Sequence, residues 1–331
     1  MPSFSTVLRT ALRTAATASI VAAGCASAQA EGPTAVGGSA RTAGWDWLAK
    51  TNEIQTEGVV WNDRFGDGKD RWKTGGLTQS YVFPEHIFSD QNWFEDRASA
   101  LELNVRALLM TPDNTAYEGV NSNDRPYAQY AAAGIYLRST ARPDLLSPTL
   151  SVQEEARIGV EVGWQGDPLP LFELQNGVHD AIGMAGDAAS LANIIDSEML
   201  VNVEGRHTWR YHLDLPDRDF EFAPFVQGSL GMRETSLRVG ADIFTGKALD
   251  GRTWGADPAT GAVMAGASMP RRGFNWTAFF GGDVGYVAAD AFLDGGLAVS
   301  GPSVPRQEIV GRLRTGLLLE YDKVGIGFSL N

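Results

Sequence analysis

The sequence predicts an all-β protein, an antiparallel transmembrane β-barrel of about 12 strands with a short helix in an extracellular loop. Three observations predict it. Apolar and polar residues alternate with period two through many segments, which is the signature of strands. The polar face of these segments carries full charges and glycines, as a barrel lumen would, and Tyr and Trp gather towards strand ends. Many segments run to ten residues or more, close to the length a tilted strand needs to cross a bilayer, whereas no stretch of about 18 apolar residues offers a helical span. A soluble antiparallel sheet also alternates, so the charged face, the length and the aromatic ends carry the membrane reading. The competing class is a secreted soluble β-sandwich with a carbohydrate or calcium site. No internal repeat of fixed period points to a propeller or solenoid.

The chain begins with a different kind of text. Residues 1–30 have Arg9 and Arg13, a small-residue apolar core, and "ASAQA" before Glu31, which reads as a cleaved secretory signal with an Ala28-x-Ala30 site. The competing reading is a lipobox at "AAGC", but the residue three before Cys25 is Ala22 rather than Leu. Cleavage removes two arginines and no acid, so the net charge of −13 becomes −15, and it removes the single cysteine. A thiol-free chain suits an oxidising compartment and folds without disulfides. Residues 31–50 are rich in Gly, Ala and Thr without period and read as a loose leader, with the barrel over 51–331. A pI of about 4.8 argues against nucleic acid as a partner, because phosphate binding needs a basic face.

The first unusual stretch is "VVWNDRFGDGKDRWKTGGLTQSYVFPE", Val59 to Glu85. A loop that only had to turn needs glycines and one Asp or Asn, yet Asn62, Asp63, Asp70, Arg71 and Thr74 crowd the mouth of this hairpin. The offsets of an EF-hand are not met. Asn62 and Asp63 still supply hard oxygen donors of the kind Ca²⁺ or Mg²⁺ takes; the alternative is a charged, solvated hairpin loop. In "ALELNVRALL" Leu101, Leu103, Val105 and Ala107 share one face, opposite Glu102, Asn104 and Arg106. In "NSNDRPYAQYAAAGIYL", Pro126 sets up a strand, and Asp124 and Arg125 precede it. They read either as turn chemistry with a charge pair or as an arginine held ready for an anionic group such as phosphate. "RIGVEVGW" alternates again, with Ile158, Val160, Val162 and Trp164 on one side.

The segment "DPLPLFELQNGVHDAIGMAGDAASLANIID" breaks the pattern. Leu174, Val178 and Ile182 stand at helical spacing after two prolines, so the spacing predicts a short helix in a long loop. It carries His179, with Gln175 and Asn176 one turn before, and all three would face one cleft; the other reading of His179 is an exposed loop ring. His86, His207 and His212 read as interfacial or solvated rings. No G-x-S-x-G, H-E-x-x-H, G-x-x-x-x-G-K-[ST] or zinc-type Cys/His spacing is present. "GIGFSL" near the end returns to strand alternation.

Five pieces in order resemble the outer-membrane lipid A 3-O-deacylase family: "WNDRF" with "DRWKTGGL", "NDRPYA", "LQNGVHDAIG", "GSLGMRETSLRVG" and "GYVAADAFLDGGLAVSGPSV". The resemblance covers nearly all of the chain beyond its signal. It implies a twelve-stranded outer-membrane barrel, acting as a monomer, with its active site at the extracellular rim against a loop helix. It further implies Ca²⁺ as cofactor, lipid A or lipopolysaccharide as partner, and hydrolysis of the acyl or acyloxyacyl chain at the 3′ position. Carried over by position, His179 would be the general base. Asp63 with Asn62 would hold the metal, Thr74 would orient the site, and Arg125 and Gln175 would contact substrate. Three departures mark this chain. Gln129 follows "NDRPYA" where the family tends to have Gly; "MAGDAASLANIIDSE" follows the His segment without the family's Gly-Trp and Glu, so that either Asp187 substitutes or an acidic partner is lost; and "GIGFSLN" lacks a terminal aromatic residue. The same barrel without hydrolase activity, structural or lipopolysaccharide-binding, is the alternative.

Overall fold

The computed structural model describes residues 45–330 apart from 63–71, 90–92, 95, 115–122, 168, 182–192, 216–217, 248, 250–253, 258–260, 262, 266–272, 300 and 322–323. The expected signal, most of the leader, Asp63 and Asp187 lie outside the described residues. So do the side chains of Asn62, Thr74 and His179, whose backbones are described.

The described chain is an antiparallel sheet. Its strands are β1 (Gln55–Asn62), β2 (Trp72–Pro84), β3 (Arg97–Thr111), β4 (Ala128–Ala141), β5 (Asp144–Ser147), β6 (Leu150–Gln165), β7 (Glu198–Asp214), β8 (Asp219–Gly231), β9 (Glu234–Gly246), β12 (Phe274–Asp290), β13 (Ile309–Tyr321) and β14 (Val324–Leu330), with the short pair β10 (Trp254–Ala256) and β11 (Val263–Ala265) between β9 and β12. Eleven strands follow one another as neighbours, β1-β2-β3-β4-β6-β7-β8-β9-β12-β13-β14, and β5 adds to the edge of β6 to make twelve. Most of the neighbouring strands are 13–17 residues long, more than the 9–11 or so that cross a bilayer. Among the described residues no helix is long and apolar enough to span a membrane.

The two faces of the sheet are inverted relative to a soluble protein. On β3 Leu103 is 38% exposed, while its neighbours Glu102 and Arg106 are fully buried. On β6 Ile158, Val160 and Val162 are exposed around a fully buried Glu161. An apolar outer face and an ionised inner one suit a wall with lipid outside and a satisfied polar interior. Aromatic residues mark one end of the outer face: Phe274 lies opposite Tyr321, and Tyr211 stacks on Phe222 at 6.4 Å.

The curl is recorded by inner side chains that meet across several strands. Arg106 on β3 reaches Glu204 on β7 at 3.6 Å and also pairs with Glu161 on β6. Arg138 on β4 donates to Glu57 on β1 at 2.7 and 2.9 Å and to Glu102 on β3 at 2.7 Å. The β9–β12 connection turns inward as well. Asp257, just after β10, is fully buried and accepts from Arg106 Nε at 3.2 Å and Nη2 at 2.7 Å. Nothing in the sequence announced this hairpin, because three-residue strands carry no readable period.

The helix expected from the spacing of Leu174 is present; Leu174 itself is 49% exposed, and Leu171 and Phe172 in the first turn hold the helix. One expectation is corrected. His212, read as an interfacial or solvated ring, is 1% exposed, because its position on β7 faces the interior; His207 faces the other way beside Trp209 at 4.4 Å.

Replacing Arg106 with Met keeps the volume roughly but removes the cation that Glu161, Glu204 and Asp257 share. Taking the shared cation out of this buried network, with Arg233 left to serve Glu161 and Glu204, should lower stability by about 3–5 kcal/mol. The measurement is the urea midpoint for loss of heat-modifiable migration on a mild-detergent gel, and an unchanged midpoint would contradict the role given to Arg106.

Candidate functional site at the barrel rim

Strand directions divide the connections between two ends. The end called the rim here carries the connections 63–71, 112–127, 166–197, 232–233 and 291–308. The described backbones of Asn62, Thr74, Arg125, Gln175 and His179 all fall on it or next to it. The β1–β2 ladder sets Asn62 opposite Gly75, next to Thr74 in sequence, so both stand at the mouth of this hairpin. Asp63 follows Asn62 directly.

The helix α1 (Leu171–Ala181) is fastened to the β3–β4 connection at several points. Tyr127 pairs with Ile194 in an isolated parallel bridge; the Tyr127 amide donates to Asn193 O at 3.0 Å and the Ile195 amide donates to Tyr127 O at 2.9 Å. The first turn of α1 packs Leu171 and Phe172 into a cluster with Leu109, Tyr127, Ala131 and Leu169, and Phe172 meets the Tyr127 ring edge-on at 5.7 Å. Pro170 precedes the helix and gives up no hydrogen bond there, since the first amides have no intrahelical acceptor. One of those amides is met by a side chain: Leu171 N–H donates to Gln129 Oε1 at 3.1 Å, while the Gly166 amide donates to the Gln129 carbonyl at 3.0 Å. Gly166 is required where it is. Its φ is +73°, and a Cβ there would lie 2.6 Å from Ile195 O.

Gln129 is thus the residue that sequence reasoning noted only as a departure. It is buried; its carbonyl holds the entry to the helix and its side chain holds the first turn, and only the second of these would be lost with Gly. The signal available was its place next to "NDRPYA".

Arg125 sits under the same connection. Its Nη2 donates to Met110 Sδ at 2.9 Å, and its Nε is buried without a hydrogen-bond partner. Burial is the main influence on this guanidinium and pushes its pKa below the usual arginine value, against the carboxylates of Asp290 and Asp124, which raise it. Asp124 itself accepts from the amides of Asp113 and Asn114, both at 3.0 Å. Gln175, one turn into α1, has a buried Oε1 that also lacks a partner. His179 is four residues further along the helix, a spacing that places two positions on one face. Buried polar atoms left unmatched are uncommon in folded proteins and call for an explanation.

A second rim segment closes in from the other side. The short helix α2 (Ala291–Asp294) is capped by Asp290, which accepts from the Phe292 amide at 2.9 Å, and the Phe292 ring meets Tyr130 edge-on at 5.4 Å. Beyond it the amides of Leu297 and Ala298 donate to Glu198 at 3.1 and 2.7 Å. Glu198 and Asp290 were not singled out in the sequence, although Asp290 lies within "GYVAADAFLDGGLAVSGPSV"; a lone acid at a strand end has no chemical signature of its own.

The structure therefore brings Gln129 and the first turn of α1 together, places Arg125 two residues before the Tyr127 that packs on that turn, and sets Asn62 and Thr74 at the same end. The fold matches a known one. The chain is similar to LpxR from Salmonella typhimurium with a TM-score of 0.62 at 19% identity, over 84% of this chain and 92% of that one. No curated protein matches it in sequence. Residues 15–331 match the family model for outer membrane protein LpxR.

The chain belongs to the LpxR family.

This is the outer-membrane lipid A deacylase family that the five motifs resemble, and the likeness in structure shows the shared barrel fold. Within it, Gln129 gives a direct test of how α1 is held. Gln129→Ala removes one charge-free hydrogen bond to the helix start, worth about 1 kcal/mol. Amide exchange at Leu171 and the first turn of α1 should accelerate about fivefold, with the strands unaffected; unchanged exchange there would show that the packing of Phe172 alone holds the helix.

Proposed function

We propose that this chain is an active lipid A 3-O-deacylase that hydrolyses the ester-linked acyl or acyloxyacyl chain at the 3′ position of lipid A. The observation that carries this reading is the pair of unmatched buried polar atoms, Arg125 Nε and Gln175 Oε1, on two segments bound together at the rim. One is a cationic donor and the other a neutral acceptor. Lipid A offers phosphates for the first and hydroxyl or amide N–H groups for the second, so a bound headgroup would satisfy both.

In the proposed reaction His179 takes a proton from a water molecule as that water attacks the ester carbonyl carbon. The tetrahedral species then collapses, the bond between the acyl carbon and the sugar's ester oxygen breaks, and the imidazolium gives the proton to that leaving oxygen. A fatty acid and a free sugar hydroxyl result. No side-chain nucleophile is used, consistent with the absence of a serine elbow. Asn62 and Asp63 are hard oxygen donors of the type that fits Ca²⁺, and these two would hold it. Bound there, Ca²⁺ would supply positive charge for the oxygen that becomes negative in the transition state. Thr74, beside Asn62 across the hairpin, would orient that pair. The cleft residues belong on the side of the outer membrane where lipid A lies. Export through a cleaved signal over residues 1–30 and a monomeric barrel complete the proposal.

The test uses the full chain purified in detergent with lipid A as substrate. Fatty acid release should require Ca²⁺, cease on chelation and return on its addition, and Asp63→Asn should raise the Ca²⁺ needed for half-maximal rate by at least about tenfold. Release that is indifferent to chelation would overturn the metal assignment. Lipid A binding without any release would favour the alternative, a structural or lipopolysaccharide-binding barrel.

A further inference from the structure

β9 and β12 are neighbours in the sheet. Their ladder ends away from the rim with Gly246 opposite Thr277, and the Lys247 amide donates to Trp276 O at 3.0 Å. A two-residue turn would join the strands there, much as residues 215–218 alone join β7 to β8. The chain instead runs through residues 248–275, longer than the connections that neighbouring strands ordinarily have. We propose that this connection is an internal plug, which closes the lumen to ions and small solutes.

The described residues of the connection cross from one wall to the other. Leu249 is fully buried and packs with Ala223 of β8, Phe244 of β9 and Phe279 of β12. Asp257 stands against β2 and β3 instead: beside its two bonds from Arg106, it accepts from Thr78 Oγ1 at 3.5 Å. β2 and β3 lie near one edge of the strand order, and β8, β9 and β12 lie towards the other. The chain then folds back at Gly261, whose φ is +78° and whose amide donates to Asp257 O at 2.7 Å. Gly261 is buried against β13, where a Cβ would lie 3.4 Å from Arg312 Cδ, and β11 comes against β1. One segment thus touches inner positions all round the curl.

The size of the barrel makes such a filler necessary. Barrels of about eight strands are filled by their own side chains, and wider ones leave a channel unless a loop or helix occupies it. Eleven strands follow one another here. The wall beside Asp257 is nonetheless dry, for Arg106, Glu161, Glu204 and Asp257 expose no side-chain surface. In an open channel water would reach these charges. The plug supplies cover without being needed for charge balance. With Asp257 taken away, Arg106 and Arg233 still face Glu161 and Glu204, two cations to two carboxylates. The wall should therefore fold without it.

The experiment inserts the full chain into planar lipid bilayers and records current, beside a variant in which Asn-Gly replaces residues 248–275. Heat-modifiable migration like that of the wild type confirms the variant's barrel. The wild type should give no stepwise current, and the variant should give stable open-channel steps. If the deletion prevents folding, Asp257→Ala takes its place; it frees the plug from Arg106 and should give intermittent openings where the wild type gives none. Steps through the wild type as large as those through the variant would show an open lumen. A folded variant without current would show that the side chains of the wall fill the lumen by themselves. Either result overturns the plug.

Discussion

The structure depends on a buried guanidinium. Arg106 lies fully inside the barrel and serves Glu161, Glu204 and Asp257 together, with Arg233 bonded to the first two of these acids from the far side. A wall with lipid outside has no water there to satisfy its polar groups, so every inward charge must find its partner within the barrel. Such pairs contribute less to net stability than their Coulomb attraction suggests, because both ions have lost their hydration. What they do enforce is geometry. Four carboxylate and guanidinium groups from β3, β6, β7 and the turn after β10 satisfy one another only if the sheet is curled and the β10–β11 hairpin is folded inward.

That constraint reaches the rim through two residues. Glu161 also accepts from the Tyr130 hydroxyl at 2.8 Å, and the Tyr130 ring carries Phe292 of α2. The Arg233 carbonyl accepts from the Ala291 amide at 2.9 Å at the start of the same helix. On the next residue of β4, Gln129 holds α1. Adjacent positions of one strand therefore divide the work: Tyr130 faces the ionised interior and supports α2, and Gln129 holds the segment that carries Gln175 and His179. A catalytic site on long loops needs such fixed supports, since small displacements of reacting groups are costly in rate.

Much of the fold was legible in the sequence. Alternation in "ALELNVRALL" placed Glu102, Asn104 and Arg106 together on one face, and they are the buried face. The order of motifs led to the family, and the proline-preceded segment gave the helix. Long-range partners were not legible. Nothing in the text around Asp257 could show that it meets Arg106, 151 residues away, because ion pairing leaves no period. His212 was misjudged because one residue of strand phase decides between lipid and lumen. At the site, residue type indicated Arg125 and Gln175, while Gln129 read only as a departure until its hydrogen bond to Leu171 was seen.

The central claim is that α1 presents His179 as the base of a lipid A esterase. Mass spectrometry of lipid A from cells that express the chain, beside cells that express His179→Ala, tests it most directly. The account predicts loss of one 3′-linked acyl or acyloxyacyl group with the wild type and intact lipid A with the variant, both proteins folded in the outer membrane. Intact lipid A in both cases, or deacylation by both, would contradict it.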